Sequence, residues 1–287
     1  MNMKITIQND NKAKLLMIVS ALSFSIMASF VKATPHSTAI KAFSRQIISC
    51  IFILIIIFIF NTRIIPLKKS RIKLFFRCLF GSLGIYLYFF SIDNLLLANA
   101  SMLTRLSPFF VTLFAYLFLK ESINKLNWLI FIPLMIGCLF IIKPNSNLFN
   151  PVSIYAILSA ISGALAYTMI KSIGKDESAY TIIFWFTLSS SVLYALIAGE
   201  ELFKMNNIEY LNLTMIGIFG LLGQISLTLS YQLSKASNVA PYSYFYILFS
   251  GFIGYHLWNE LPDNLSLFGY FLIICSYSIL LRLNNKI

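Results

Sequence analysis

Residues 37–60 read STAIKAFSRQIISCIFILIIIFIF, and from Cys50 to Phe60 no charged or amide side chain interrupts them. A helix needs about 20 apolar residues to cross a hydrocarbon layer roughly 30 Å thick, where every backbone N–H and C=O must bond inside its own helix. Nine more stretches have this character, at 12–33, 72–90, 97–119, 125–143, 151–171, 179–199, 212–232, 240–258 and 266–282. Only short turns and two modest loops lie between them. The sequence therefore predicts an all-α integral membrane protein with ten transmembrane helices, folded as a single domain over residues 1–287.

Charge sets the orientation. Lys4, Lys12 and Lys14 precede a first span that starts too late and runs too long for a cleaved signal peptide. Alternation from an internal N-terminus then puts Arg63, Lys68, Lys69, Arg71, Lys73, Arg77, Lys120, Lys125, Lys171, Lys175, Lys235, Arg282 and Lys286 on the cytoplasmic side, against Lys32, Lys143 and Lys204 outside. Both termini are expected in the cytoplasm. The net charge of +12 sits at span ends rather than in a polar arm, which points to anionic lipid headgroups as partners and away from nucleic acid. Cys50, Cys78, Cys138 and Cys275 lie inside spans without ligand spacing, so no metal or cofactor is expected. Two boundary histidines, His36 and His256, make no nucleophile–base cluster, and the chain does not read as an enzyme.

Glu260 lies 139 residues after Glu121, and the same shift aligns their surroundings. Asn99, Phe110 and Leu119-Lys120-Glu121 match Asn238, Phe249 and Trp258-Asn259-Glu260. The match divides the chain into repeats at 12–143 and 151–282, five spans plus five. An odd repeat reverses its orientation on duplication, which predicts an inverted structural repeat and a carrier working by alternating access. A channel or nontransporting scaffold is the reading from a different class. Glu121 and Glu260 read as interfacial caps or as gate residues.

Arg45 and Arg105 stand out within the bilayer, each about eight residues from the outer end of its span, roughly 12 Å deep. Intramembrane arginine faces a bundle interior or a watery cavity. Every acid of the chain falls at a span end or in a loop, so neither arginine has an obvious carboxylate partner. A carboxylate-bearing solute held by a guanidinium fork fits that gap. Tyr86, Tyr88, Tyr167, Trp185, Gln224, Tyr231, Tyr242, Tyr244 and Tyr246 are the aromatic and amide candidates for the same site. Pro108 interrupts span four close to Arg105 and is a hinge candidate.

The ten-span plan, Arg45 in span two, the Leu119-Lys120-Glu121 turn and Asn238-Val239-Ala240-Pro241-Tyr242 opening span nine resemble the EamA branch of the drug/metabolite transporter superfamily. The resemblance implies a secondary transporter of the bacterial inner membrane. A narrower similarity is to the rickettsial S-adenosylmethionine transporters, through Arg77, Asn150-Pro151, Leu158-Ser159-Ala160-Ile161-Ser162, Ala240-Pro241-Tyr242-Ser243-Tyr244 and Asn259-Glu260-Leu261-Pro262-Asp263 with Gly269. It implies S-adenosylmethionine uptake, or exchange with S-adenosylhomocysteine. Ser243, Tyr167 and Arg105 depart from that pattern and leave open an exporter or facilitator of another amino acid or small metabolite.

Overall fold

The computed structural model describes residues 2–120, 150–203 and 209–284, together with 132–133, 135–137 and 139–141. Its main helices are α1 (Asn2–Ala33), α2 (Thr38–Ile59), α3 (Arg71–Asn94), α4 (Leu97–Thr104), α5 (Ser107–Leu119), α6 (Ser153–Ile173), α7 (Ala179–Ala198), α8 (Glu209–Leu233), α9 (Ala236–Val239), α10 (Phe245–Trp258) and α11 (Asn264–Asn284). Large apolar side chains point outward along them, Leu196 being 78% and Ile72 71% exposed. In water such a surface would drive aggregation; in lipid it is the contact face.

Among the described residues seven helices are long and apolar enough to cross a membrane, not the expected ten. They run Asp10–Ala33, Thr38–Ile59, Lys68–Asn94, Asn99–Leu119, Ser153–Ile173, Ala179–Leu202 and Tyr210–Leu233, the fourth of them taken across the turn between α4 and α5. The chain is thus an all-α multi-pass bundle, and the five-plus-five count of spanning helices does not hold for these residues. The expected fifth span lies largely outside the described residues. The expected ninth is broken, because the chain passes from the single turn α9 through a 3-10 segment, Ala240–Tyr244, into a 14-residue α10. At 1.5 Å per residue, α10 covers about 21 Å, short of the hydrocarbon layer. The expected tenth forms the helix α11, Asn264–Asn284, whose described side chains form an apolar stretch over Asn264–Ser276. Apolar composition alone does not reveal where a helix stops. Residue 1 and residues 285–287 are not described, so the expected cytoplasmic termini rest on charge alone.

Helix directions follow from side-chain bonds. Lys73 Nζ at the start of α3 donates to Ser172 O near the end of α6 at 2.9 Å, and Asn150 Nδ2 before α6 donates to Asn94 O at 3.2 Å, so α3 and α6 are antiparallel. Ser20 Oγ to Gly223 O at 2.8 Å and Ser230 Oγ to Ala13 O at 2.7 Å make α1 and α8 antiparallel as well. Lipid offers no hydrophobic drive between helices, so small residues and hydroxyl-to-carbonyl bonds carry these contacts.

Element ends recur at a single spacing. Ile59 and Ala198, Asn94 and Leu233, and Leu119 and Trp258 close α2 and α7, α3 and α8, and α5 and α10, each pair separated by the 139 residues that also part Arg105 from Tyr244. Lys120 and Asn259, the residues after α5 and α10, both adopt left-handed backbone, with φ of 54° and 51°. That conformation closes a helix by turning its last carbonyls back toward following N–H groups.

The two ends of the bundle differ in charge. One carries Lys69, Lys73 and Lys171, tied to Asp176, Ser172 O and Ser234 O. At the other, Lys41 pairs with Asp93 at 2.5 Å, Ser37 donates to Glu201, and Lys32 pairs with Glu260.

Candidate functional site

Between these ends lies a cavity of about 90 Å³. Three arginines from three helical segments line it: Arg45 from α2, Arg77 from α3 and Arg105 from the break between α4 and α5. Arg45 and Arg77 are 3% and 1% exposed; Arg105 is half-buried. No acidic residue is among the described lining residues.

Each guanidinium rests on an aromatic ring. Arg77 Cζ stands 3.8 Å above the ring centre of Phe186, Arg105 Cζ 3.8 Å above that of Tyr246, and Arg45 Cζ 5.8 Å from that of Phe24. A ring face attracts a cation without neutralising it, so the guanidinium is oriented while its charge remains available. Arg45 donates from Nη1 to Gln46 Oε1 at 3.0 Å and from Nε to the Met27 sulfur at 3.2 Å. Nε and Nη1 of Arg77 and Nε of Arg105 are buried with no hydrogen-bond partner among the described residues. Unpaired buried donors are costly.

Glycines make the room. A Cβ on Gly81 would overlap Nη1 of Arg77, and one on Gly220 would meet Nε of Arg45 at 2.9 Å. Gly84 and Gly223, one turn further along α3 and α8, let the helices approach: a Cβ on Gly84 would lie 3.2 Å from the backbone N of Gly163.

The comparisons with known proteins cover nearly the whole chain. The model of the EamA-like transporter family matches twice, over residues 11–143 and 150–282. The chain belongs to the EamA-like transporter family. It is 32% identical over 268 residues to the pseudopaline exporter CntI of Pseudomonas aeruginosa, with 91% of this chain and 92% of that protein covered. To the S-adenosylmethionine uptake transporter of Rickettsia felis it is 25% identical over 260 residues, covering 91% and 88%. A crystal structure with 15% identity overlays with a TM-score of 0.71, covering 96% of this chain and 98% of that one, which speaks for the fold alone. The similarity expected with the rickettsial transporters is found, but the exporter is the more similar of the two. An EamA-like chain is a small-molecule membrane transporter and not an enzyme.

Of the residues singled out in the sequence, Arg45, Arg105, Tyr88, Tyr167 and Gln224 come together on the cavity of this EamA-like protein. Others support it from behind. Tyr246 carries Arg105 on its ring and shares a hydroxyl bond with Tyr88. Tyr244 donates its hydroxyl to the Arg105 carbonyl, while Tyr231 stacks on Tyr167 at 5.5 Å. Three lie elsewhere. Tyr86 faces a separate groove with Lys32 and Asp93, Trp185 donates Nε1 to Ile64 O at 2.9 Å, and the Tyr242 ring lies 5.7 Å from Lys14 Nζ.

Pro108 does not kink a continuous helix. It sits in the first turn of α5, where its missing N–H costs nothing, and the chain breaks before it at Arg105 and Leu106. Arg105 caps the last turn of α4, its N–H donating to Ser101 O at 3.2 Å.

Sequence reading missed Arg77, which had been counted with the cytoplasmic charges, and the Gly81 that seats it. A usable signal existed. Gly81 and Gly84 recur as Gly220 and Gly223 at the 139-residue shift, and glycine pairs inside apolar helices mark close approach.

Glu121 lies outside the described residues. Glu260 accepts the Leu97 N–H at 2.8 Å with one oxygen and pairs with Lys32 through the other, joining α1, α4 and the turn after α10. Its carboxylate is 9% exposed and the Lys32 side chain 18%, so water screens the pair weakly. Glu260→Gln keeps an acceptor for Leu97 but leaves Lys32 without its counter-ion. It is expected to cost about 3 kcal/mol of stability, measured by thermal unfolding in detergent, and Lys32→Met/Glu260→Gln should recover most of it. A single-variant loss below about 0.5 kcal/mol would reduce the pair to an ordinary surface contact.

Proposed function

We propose that this EamA-like protein is a secondary transporter of a bacterial inner membrane, moving a small carboxylate-bearing metabolite by alternating access as an exporter or facilitator. One observation carries the reading: three arginines, two buried and one half-buried, line one cavity with no acid among its described lining residues. A guanidinium fork matches a carboxylate, and the desolvated site strengthens that bond. The greater similarity to an exporter than to an uptake transporter supports outward movement. The basic end of the bundle, with Lys69, Lys73 and Lys171, would face the cytoplasm under the positive-inside rule.

Residues 12–143 and 151–282 act in this proposal as two halves. Lys32 donates to Leu95 O at 3.3 Å at one end, and Lys171, 139 residues later, to Ser234 O at 2.5 Å at the other. Matched lysine contacts at opposite ends suit a cycle in which one end loosens while the other holds. Glu260 serves as a gate residue beside Lys32.

S-adenosylmethionine fits less well. Its single carboxylate comes with a sulfonium and an amine, which would meet three guanidiniums.

Counterflow in proteoliposomes tests the proposal, with labelled glutamate, histidine or S-adenosylmethionine outside and unlabelled solute within. Saturable counterflow of a carboxylate solute, reduced about tenfold or more in Arg105→Ala, is the expected result. Flux linear in concentration would instead make the protein a channel. S-adenosylmethionine flux untouched by Arg105→Ala would restore the uptake reading.

A further inference from the structure

We infer that the transported solute is a polyanion, with at least two acidic groups and a net negative charge, one group bound at Arg77 and another at Arg105. The inference rests on the carrier reading above and narrows its substrate class.

The charge count leads there. Arginine keeps its proton at any physiological pH, so the cavity holds three positive charges. Arg45 and Arg77 are almost wholly buried, and Arg77 adds repulsion at Arg45. Ring faces and amides orient these groups but contribute no negative charge. A solute with one carboxylate and one ammonium would enter with no net charge and leave all three uncompensated. A monoanion would leave two. Only a solute with two or three negative charges brings the occupied cavity close to neutrality.

The three arginines have different supports. Arg77 lies against Phe186 of α7 and fills the gap at Gly81 in α3, whereas Arg105 lies against Tyr246 of α10. Arg45 is held toward α1 by Met27 and Phe24. The three guanidiniums are thus held on rings from three different helices, α7, α10 and α1. The unpaired donors divide the same way, two on Arg77 and one on Arg105. Between them the wall is aromatic and small, with Tyr88, Phe89, Tyr167 and Gly163, which suits an apolar or ring-bearing middle joining acidic ends.

Glycine, iminodiacetate and nitrilotriacetate carry one, two and three carboxylates around a single nitrogen and serve as probes. Thermal stabilisation of the full chain in phosphatidylcholine nanodiscs is followed against each at constant ionic strength. The half-saturating concentration is expected to fall about tenfold with each added carboxylate, the effect of one further charge-assisted contact. Arg77→Gln should abolish one of those steps and Arg77→Lys restore part of it, while Arg71→Gln, at the basic end outside the cavity, should change nothing. Equal or absent stabilisation across the series, or a series unchanged in Arg77→Gln, overturns the inference. The carrier reading is judged separately by counterflow: saturable flux of a zwitterion or monoanion keeps the carrier and removes the polyanion, whereas flux linear in concentration removes the carrier whatever the series shows.

Discussion

Replacing Gly81 with alanine is expected to lower the maximal transport rate about tenfold or more while the protein remains folded. A Cβ at this position would overlap Nη1 of Arg77 and stand 2.7 Å from Cε2 of Phe186. The helix backbone can accept alanine, since α3 is regular here and Gly81 has no positive φ. The yielding atoms are the end of a flexible arginine and the edge of the Phe186 ring, both side chains, so the guanidinium and its ring shift against each other rather than the helix backbones parting. A displacement near 1 Å in a preorganised binding group costs far more function than stability. Counterflow of the best carboxylate substrate, read beside thermal unfolding in detergent, checks this. Unchanged flux with unchanged stability would mean that the position of Arg77 is immaterial to transport.

Gly269→Val is expected to do the reverse, lowering stability by about 3 kcal/mol or preventing accumulation of folded protein. A Cβ on Gly269 would sit 2.5 Å from the carbonyl oxygen of Gly137 and 2.9 Å from Cγ1 of Ile141, and one on Gly137 would lie 2.8 Å from the carbonyl oxygen of Gly269. Here backbone meets backbone, so no side chain can rotate away and the helices must move apart. Contacts of this kind hold helices together in lipid, where burying apolar surface gains nothing. Fluorescence-detected size exclusion of the detergent-solubilised variant measures the effect. A monodisperse peak at wild-type yield would show that the contact is dispensable.

Particular residues show how much was legible beforehand. Arg45 and Arg105 were found because a charge inside an apolar run is visible in one dimension. Arg77 was hidden because it stands only six residues after Arg71, in a cluster that reads as interfacial; the turns of α3 carry it inward against Phe186. The tyrosines were sorted poorly. Tyr88 and Tyr167 line the cavity while Tyr86 faces another groove, because neighbouring positions on a helix point about 100° apart and composition says nothing of which face turns inward.

By itself the amino-acid sequence determined the membrane setting, the helical class, the 139-residue spacing and the shortage of buried acids, since all four follow from local apolarity, residue type and interval. Tertiary structure alone decided that three arginines share one cavity, that the chain breaks at Arg105 and again before α10, and that seven described helices rather than ten are fit to span. Those outcomes depend on which helix faces approach each other and where a neighbour's carbonyl or ring takes over from the helix's own ladder, and interactions between distant residues are not written in the apolarity of either one.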